Sequence, residues 1–270
     1  GIMNLTFMIP CKLESPDRIR NLTTVICFLL SNFDAKVSVK EYDRSQNFES
    51  NVLPFIKRKI KNLDNLNYSF LEQTTDFFHK TRVLNELLLE SDTEVVCNYD
   101  TDVILPIDSI SKSYEVIKAN DVDAVYPYGV GAYQKAVNYT PELFERFTSS
   151  EMKDVDIFQL QEYSTTSSST IGWCQFIRRE NYINSFMMNE NFAAWGPEDC
   201  ELFYRLNVMG NRVGRINNYV YHLEHTRSTD SWFSNPLWKQ NVQLWEWIRR
   251  QDKETLIEYY KKQDYIKGKN

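Results

Sequence analysis

Two carboxylates, Asp100 and Asp102, follow a short apolar run that begins at Val95, and a second apolar run leads from them to Pro106. The first run is typical of a buried strand. Two acidic residues at the end of such a strand cost free energy unless a positive group meets them. A divalent cation with oxygen ligands, accompanied by a phosphate, would supply that charge. A solvated turn, in which aspartate is common, explains the same pattern, and this stretch alone does not decide between the two.

Glu198 and Asp199 form a second acidic group, which directly follows Trp195, Gly196 and Pro197. Proline suits the first position of a helix, and acidic residues in the first turn complement the helix dipole. A well-started helix is therefore a sufficient structural explanation. A carboxylate at a helix start also has a fixed direction, so it could act as a general base towards a hydroxyl. The ring of Trp195 would offer a flat platform for a sugar beside it.

Two of the three histidines, His222 and His225, lie three residues apart. In a turn or a single helical turn both rings would face the same way, whereas an extended strand would separate them. Neutral imidazole is a frequent metal ligand, and carboxylates combined with imidazoles suit manganese better than zinc or calcium. A chance pair on the surface is the alternative.

Basic residues accompany these sites. Lys12 and Arg18 follow the first strand pattern, and Lys80 and Arg82 begin the helical pattern that precedes Asp100. Because the N-terminus of a helix disfavours cations, basic residues at that position indicate an anionic ligand. A solvated helix end is the alternative for Lys80 and Arg82.

The elements that must position these groups alternate between strand and helix. Strand patterns occur at residues 4–10, 36–42, 68–72, 95–97 and 122–126, and helical patterns at 17–32, 51–63, 79–90 and 107–120. This alternation predicts an α/β fold with a mixed, mainly parallel sheet flanked by helices. In such sheets ligands bind at the carboxyl ends of the strands, where Asp100 and Asp102 lie.

The second half of the chain is less regular. Residues 129–170 have few apolar periods and end in a Ser/Thr run, which predicts a surface connection; a loop that closes over a substrate is the alternative. A strand at 171–177, a helix at 179–185 and one or two strands at 213–223 follow. Residues 237–265 predict one long, aromatic-rich helix, which we expect to pack on the rest of the chain rather than rest on a membrane surface.

Composition limits the classes of function. With 270 residues, of which 42% are hydrophobic, the chain can bury a sizeable core. A net charge of −6 argues against a general nucleic-acid binder. The five cysteines are scattered, which predicts free thiols in a reducing compartment. Without an apolar stretch long enough to span a membrane or a signal peptide, a soluble cytoplasmic protein is the expectation.

The three sites and their order resemble the GT-A glycosyltransferases. The resemblance is greatest to the β-1,4-galactosyltransferase-like group, with related domains in bacterial chondroitin-type polymerases and polypeptide GalNAc-transferases. It covers residues 4–230 and rests on residues 9–12 with Arg18, 78–85, 100–102, 172–206 and 222–227. A lone Asp-x-Asp is weak, but Asp-x-Asp followed by Trp-Gly-x-Glu-Asp and then by a histidine is a specific combination.

The resemblance implies a role for each matching residue. The nucleotide-sugar pocket would be lined by Pro10, Lys12, Arg18, Phe78, Lys80 and Asp100. A Mn²⁺ site, with Mg²⁺ as the alternative ion, would be formed by Asp102, His222 and His225. The sugar and acceptor site would be lined by Gly172, Trp173, Trp195 and Glu198. Asp199 would be the general base.

Three positions depart from the family pattern. Pro197 stands where the family often has a second glycine, and Cys200 where a further acid often follows the Glu-Asp pair. His222 replaces what is commonly a methionine in the animal enzymes. The metal preference and the acceptor are therefore open at this point.

The function implied by the resemblance is an inverting, metal-dependent transfer of a hexose, galactose or N-acetylgalactosamine, from a UDP-sugar to a glycan hydroxyl. The expected setting is bacterial surface polysaccharide synthesis on a lipid-linked acceptor, with peripheral contact to the inner membrane. Residues 1–235 would be the catalytic domain, divided into a nucleotide-binding half (1–128) and an acceptor and metal half (129–235), and residues 236–270 a C-terminal helical extension.

Two other classes of protein remain as alternatives. The first is a nucleotide-sugar-binding or glycan-binding protein without catalysis, which would have little need of the Glu198–Asp199 pair. The second is a metal-dependent nucleotidyltransferase, which also uses paired carboxylates but would not need the Trp-Gly-x-Glu-Asp segment.

Overall fold

The computed structural model describes residues 1–167, 172–194, 196–226 and 236–268. The strands in these ranges are β1 Leu5–Cys11, β2 Lys36–Asp43, β3 Leu66–Glu72, β4 Val95–Tyr99, β5 Val103–Ile104, β6 Ala124–Tyr126, β7 Gln134–Val137, β8 Ser164–Thr166, β9 Cys174–Arg178, β10 Val213–Arg215 and β11 Val220–Leu223.

The α-helices are α1 Pro16–Asn32, α2 Phe48–Asn51, α3 Leu53–Lys59, α4 Lys80–Glu90, α5 Ile107–Lys118, α6 Pro141–Ser149, α7 Asp154–Gln159, α8 Arg179–Asn184, α9 Glu198–Val208, α10 Trp238–Ile248, α11 Lys253–Lys261 and α12 Asp264–Lys267. Short 3-10 helices lie at Gly131–Tyr133 and Leu160–Tyr163. None of the helices in the described ranges is both long enough and apolar enough to cross a membrane.

The main sheet has seven strands in the order β10-β6-β9-β4-β1-β2-β3. Strand β9 runs antiparallel to both of its neighbours, β4 and β6, and the other pairs are parallel. The predicted mixed, mainly parallel α/β sheet is therefore confirmed. Its parallel strands bring the carboxyl ends of β1 and β4 to one edge, which is where ligands bind in such sheets.

A second sheet of four strands, β5-β11-β7-β8, begins directly after the turn that follows β4. Strand β5 pairs antiparallel with β11, with His222 opposite Val103. The turn at residues 100–102 therefore connects the two sheets. This connection brings the end of β11 next to Asp102, although the two segments are far apart in the sequence.

The core lies on both faces of the main sheet. Along β1 the side chains alternate, so that Phe7 and Ile9 pack in one cluster, with α1 and the second sheet, and Met8 packs in another. The second cluster contains Leu202 from α9 and Ile248 from α10. Helix α9 is thus fixed between the sheet and the C-terminal helices.

The prediction of a surface connection over residues 129–170 is wrong for the part that the structure describes. Residues 134–166 contain two strands of the second sheet, two α-helices and one 3-10 helix. Leu143, Phe147 and Leu160 are buried there. These strands and helices are too short to show a clear hydrophobic periodicity in the sequence. They are ordered because they bury apolar side chains. The last residues of the Ser/Thr run, 168–170, lie outside the described residues.

Two segments that are each predicted as one helix are divided into shorter helices. The single helix predicted over 51–63 is two short helices, α2 and α3. The long helix predicted over 237–265 is three helices, because α10 ends at Ile248 and Asp252 caps a new one by accepting a hydrogen bond from the Thr255 N–H at 2.8 Å. Leu256 and Tyr260 are fully buried in the second cluster, so these helices pack on the rest of the chain as predicted. The domain boundary at residue 235 stays a prediction.

Candidate active site

The turn after β4 holds Asp102 in a buried and well-directed position. Its carboxylate is 1% exposed and accepts hydrogen bonds from Asn21 Nδ2 at 2.8 Å and from Thr101 Oγ1 at 2.9 Å. The Arg18 Nη1 atom lies 4.0 Å from Asp102 Oδ2. The surface-turn interpretation of this stretch is therefore wrong, because a solvated turn would leave the carboxylate in water.

Asp102, His222 and His225 form one cluster. One possible ligand atom from each lies within 4.8 Å of the others, and His225 Nε2 is 3.3 Å from Asp102 Oδ2. The two histidines meet because β11 ends at Leu223, so His225 lies beyond the extended segment. Both imidazole rings can point at one position only because the chain is not extended between them.

His222 is buried and packs against an aromatic ring. Its ring stacks on Trp173, with the ring centroids 4.7 Å apart and the planes at 20°. Among the described residues its Nδ1 atom has no hydrogen-bond partner, although Glu224 Oε1 lies 3.5 Å away. A buried ring nitrogen without a partner costs free energy, and a bound cation would satisfy it.

The electrostatics of the cluster keep the Asp102 carboxylate in its charged form. Burial alone would raise the pKa of Asp102, but the hydrogen bond and charge of His225, together with His222 and Arg18, hold that pKa well below its usual range. Burial lowers the pKa of His225, and Asp102 more than reverses this. One carboxylate and two imidazoles therefore form a mixed oxygen and nitrogen donor set, which fits a divalent ion such as Mn²⁺.

The second acidic group begins α9, with Glu198 and Asp199 in its first turn. Asp199 lies against the backbone of Gly172, where an added Cβ would come within 1.9 Å of Asp199 Oδ2. Only glycine permits this close approach. Glu198 is 5% exposed, and its Oε2 atom has no hydrogen-bond partner among the described residues.

Lys80 is the cation that faces these acids. Burial opposes its charged form, but the charges of Asp199, Asp100 and Glu198 raise its pKa above the usual value. Burial raises the pKa of Asp199; Lys80 counteracts this increase and Asp100 adds to it. Burial and the charge of Asp199 raise the pKa of Glu198 well above its usual value. Lys80 begins α4 as predicted, and it faces anions from that position.

A small cavity at the carboxyl edge of the main sheet brings six of the predicted residues together. They are Pro10, Lys80, Asp100, Gly172, Trp173 and Asp199. Asn98, Gln175 and Met188 line the same cavity, and the sequence analysis did not identify them.

Other predicted residues lie elsewhere or are not described. Lys12 donates to Gln73 Oε1 at 2.6 Å and lies 3.7 Å from Asp43. The Phe78 ring packs near Tyr42, with the centroids 5.9 Å apart. Neither Lys12 nor Phe78 lines the cavity, and Arg18 belongs to the Asp102 cluster. Trp195 lies outside the described residues.

Two polar residues of α1 that the sequence analysis missed hold the histidine segment in place. Asn21 Nδ2 donates to Asp102 and also to the carbonyl oxygen of Leu223 at 3.0 Å. Asp17 accepts from the N–H of Thr226 at 2.7 Å and from its hydroxyl at 2.9 Å. The available signal was Asn21 itself, a polar residue on the apolar face of a helical pattern, which needs a buried partner.

Comparisons with known proteins identify the fold. No family model matches the chain, and no curated protein matches its sequence. Among solved structures, the mannosyltransferase PcManGT from Pyrobaculum calidifontis in complex with GDP-Man and Mn²⁺ is 15% identical, with a TM-score of 0.50 over 84% of this chain and 58% of that chain. S. aureus TarS 1-349 in complex with UDP-GlcNAc is 16% identical, with a TM-score of 0.52 over 85% and 61%.

A third similar structure is the catalytic domain of Drosophila β1,4-galactosyltransferase 7 in complex with xylobiose. It is 14% identical, with a TM-score of 0.51 over 93% of this chain and 82% of that chain. The chain spans about three fifths of the length of the PcManGT and TarS 1-349 chains. At these identities the likeness establishes the fold, which is the GT-A fold predicted from the three motifs.

Proposed function

We propose that the chain is a metal-dependent glycosyltransferase that moves a hexose from a nucleotide-sugar to an acceptor hydroxyl with inversion. The observation that supports this most strongly is the joint position of two groups of residues on a GT-A fold. The Asp102, His222 and His225 cluster and the buried carboxylate of Asp199 both lie within the electrostatic reach of Lys80. Such a site would present a bound metal ion, a positively charged side chain and a general base to one substrate.

The cluster of Asp102, His222 and His225 would hold the divalent ion. When bound, such an ion neutralises charge on the leaving diphosphate, which is worth several kcal/mol in transition-state stabilisation. Lys80 adds a positive charge, fixed at the start of α4, that would face the same anionic group. The half-buried Trp173 stacks on His222 and so covers one face of that ring.

Asp199 is the proposed general base. Its carboxylate takes the proton of the acceptor hydroxyl, and the hydroxyl oxygen forms a bond to the anomeric carbon. The bond between that carbon and the diphosphate breaks, and its electron pair leaves with the nucleotide. Attack from the face opposite the leaving group turns an α-linked donor into a β-linked product. Glu198, buried beside the base, would accept a hydrogen bond from another acceptor hydroxyl.

The resemblance supports UDP-galactose or UDP-N-acetylgalactosamine as the donor. The similar structures contain different ligands: GDP-Man and Mn²⁺ in PcManGT, UDP-GlcNAc in TarS, and xylobiose in β1,4-galactosyltransferase 7. They support a nucleotide-sugar donor with a carbohydrate acceptor as the general substrate pair. A lipid-linked glycan at the bacterial inner membrane, reached from the cytoplasm, is part of the same proposal.

Thermal unfolding in the presence of donors tests this function. UDP-, GDP- and dTDP-sugars are compared with and without Mn²⁺. A ligand that binds only the folded state raises the melting temperature, and a concentration of 100 times its Kd stabilises by about 2.7 kcal/mol. We expect the largest shift for a UDP-sugar with Mn²⁺ and little for either component alone. The absence of a shift with all donors would contradict the proposal.

A His225→Ala variant tests whether the proposed cluster binds the metal. It should reduce the Mn²⁺-dependent part of the shift, because the cluster then has one ligand fewer. Product formation from the stabilising donor distinguishes an enzyme from a nucleotide-sugar-binding protein. Binding of the donor without transfer to any acceptor would favour the binding protein.

A further inference from the structure

A groove runs along the partly exposed face of α9, beside α10. It has a volume of about 450 Å³ and is lined by Cys200, Phe203, Tyr204, Asn207 and Trp245. The first four lie at positions i, i+3, i+4 and i+7 of the helix, so they form one continuous stripe. The groove is of the size that small ligands fill, and none of the roles proposed above uses it.

The walls of the groove are fixed aromatic rings. The Tyr204 and Trp245 rings meet edge to face, with the centroids 5.7 Å apart and the planes at 77°. The Tyr204 hydroxyl donates to the carbonyl oxygens of Arg249 at 3.3 Å and Gln251 at 3.2 Å. Helices α9 and α10 therefore form the groove together, in a geometry that these hydrogen bonds maintain.

The groove lies next to the helical turn that carries the proposed base. Cys200 directly follows Asp199, and Phe203 lies one helical turn beyond Asp199, where residues i and i+4 are neighbours. The Phe203 ring also contacts the edge of Tyr126, with the centroids 5.3 Å apart. Burial and the charge of Asp199 raise the pKa of Tyr126. Cys200 and Phe203 therefore relate the groove to the first turns of α9, where Asp199 lies.

The chemistry of the lining favours a sugar ring. Flat aromatic walls fit the apolar face of a pyranose, and the exposed Asn207 at the mouth can bond to its hydroxyls. Asn207 Nδ2 donates to the carbonyl oxygen of Phe203 at 2.8 Å, which leaves its Oδ1 atom to accept from a ligand. Among the residues that the structure describes, no Lys or Arg lines the groove, so these residues offer a phosphate no positive partner. The stripe is about 10 Å long, which suits one sugar better than a lipid chain.

We propose that this groove binds the acceptor sugar next to the one that reacts, so that the acceptor is at least a disaccharide. The inference rests on the proposed function, because the reacting hydroxyl must lie at Asp199. The reacting sugar occupies the site beside Glu198 and Asp199, and its neighbour crosses Phe203 into the groove.

Alkylation of Cys200 tests the groove without measuring activity. Cys200 is the exposed cysteine, and the other four are buried. Burial and the charges of Asp199 and Glu198 raise its pKa, so iodoacetamide is used at alkaline pH, where the thiolate forms. Cellobiose, lactose and diacetylchitobiose are each compared with glucose, galactose and N-acetylglucosamine, in the presence of UDP and Mn²⁺.

We expect at least one disaccharide to slow the alkylation about tenfold at a concentration about ten times its Kd, while its matching monosaccharide protects much less. The Trp245→Ala variant should raise the Kd of that disaccharide about two- to tenfold. Trp247→Ala is the matched control: it lies in the same helix, is 42% exposed and does not line the groove. The Asn207→Trp variant places a large side chain in the groove from an exposed position. It should abolish the protection of Cys200 by the disaccharide and leave the hydrophobic core unchanged.

The outcomes are distinguishable from those of the proposed function. If donors stabilise the protein but no disaccharide protects Cys200 better than its monosaccharide, the groove proposal is overturned and the proposed function stands. Equal loss of protection in the Trp245→Ala and Trp247→Ala variants would also overturn it. Protection by a dodecyl detergent monomer and not by disaccharides would assign the groove to a lipid chain and reject the sugar.

Discussion

Asp199 and Lys80 carry opposite charges, and each shifts the pKa of the other towards its charged form. Burial makes the Asp199 carboxylate harder to ionise, and Lys80 counteracts this effect. A general base works best when its pKa is near the operating pH, so a raised pKa suits Asp199 to the role proposed for it. The close fit of Gly172 against its carboxylate fixes the direction of the base.

The Asp199→Asn variant should bind donor and lose turnover. The amide has nearly the same shape but cannot accept a proton, and general-base catalysis contributes on the order of 100- to 10,000-fold. We therefore expect kcat to fall by that factor, while the thermal shift with UDP-sugar and Mn²⁺ stays close to that of the unchanged protein.

Asp108→Asn is a suitable control for this variant. Asp108 is also an acid in the first turn of a helix, but it is exposed and lies outside the cavity. Turnover in that variant should be normal. Nearly normal turnover in the Asp199→Asn variant would remove Asp199 from the mechanism.

Helix α9 carries the proposed base at its start and a buried ion pair in its middle. Arg205 is fully buried and donates to both carboxylate oxygens of Glu201, at 2.8 and 2.7 Å. Its Nη1 atom donates to the carbonyl oxygens of Ser185 and Met187, both at 2.6 Å. The pair thus ties α9 to the segment that leads to Met188, which lines the cavity.

This segment has a strained backbone that needs such support. Phe186 and Met187 both have positive φ angles, of 76° and 60°, which are unfavourable for residues with a Cβ atom. The stacking of Phe186 on Tyr260, with the centroids 5.4 Å apart, adds a second constraint. The sequence contained Glu201 and Arg205 at i and i+4, but such a pair usually lies on a surface.

The Arg205→Met variant should lose about 3–5 kcal/mol of unfolding free energy, because the charge of Glu201 is then buried without a partner. Arg249→Met is the control. It removes an arginine from the exposed pair with Glu246, and we expect a loss of less than about 1 kcal/mol. Urea denaturation of both variants gives the comparison. Equal losses would mean that the buried pair has no special structural role.

At the scale of the whole molecule, the sequence predicted the first half of the chain better than the second. The N-terminal helices and strands are long and periodic, and their order defines the main sheet. Residues 134–166 could not be predicted in the same way, because their elements are short and are ordered by contacts with distant segments. The pairing of Val103 with His222 is one such contact.

The candidate site could be predicted from motifs in the sequence rather than from hydrophobic periodicity. Its residues lie in motifs whose order resembles a known family, so Asp102, His222 and His225 could be grouped without knowledge of the pairing that unites them. Asn21 belongs to none of the motifs, and its bond to Asp102 depends on the packing of α1 against the second sheet. The sequence indicates that Asn21 needs a buried partner, but only the assembled fold shows that this partner is Asp102.

The C-terminal helices are the part of the molecule where fold and site depend on each other. Leu256 and Tyr260 are fully buried, and the guanidinium carbon of Arg205 lies 4.4 Å from the centre of the Tyr260 ring. Helices α10–α12 therefore cover the ion pair of α9, and Trp245 of α10 forms a wall of the groove. A fold that ended at residue 235 would expose this charged pair.

The Leu256→Ala variant tests whether these helices unfold together with the rest of the chain. Loss of a fully buried leucine should lower the unfolding free energy by about 2–5 kcal/mol, whereas Val155→Ala, at a residue that is 69% exposed, should change it little. The same core cluster contains Leu202 of α9 and Leu256 of α11. We therefore expect one cooperative unfolding transition. Hydrogen exchange of the backbone amides should accelerate in α9 as much as in α11. Two separate transitions, with α9 unaffected, would instead mean that residues 236–268 form an independent unit and that the predicted boundary at residue 235 is a domain boundary.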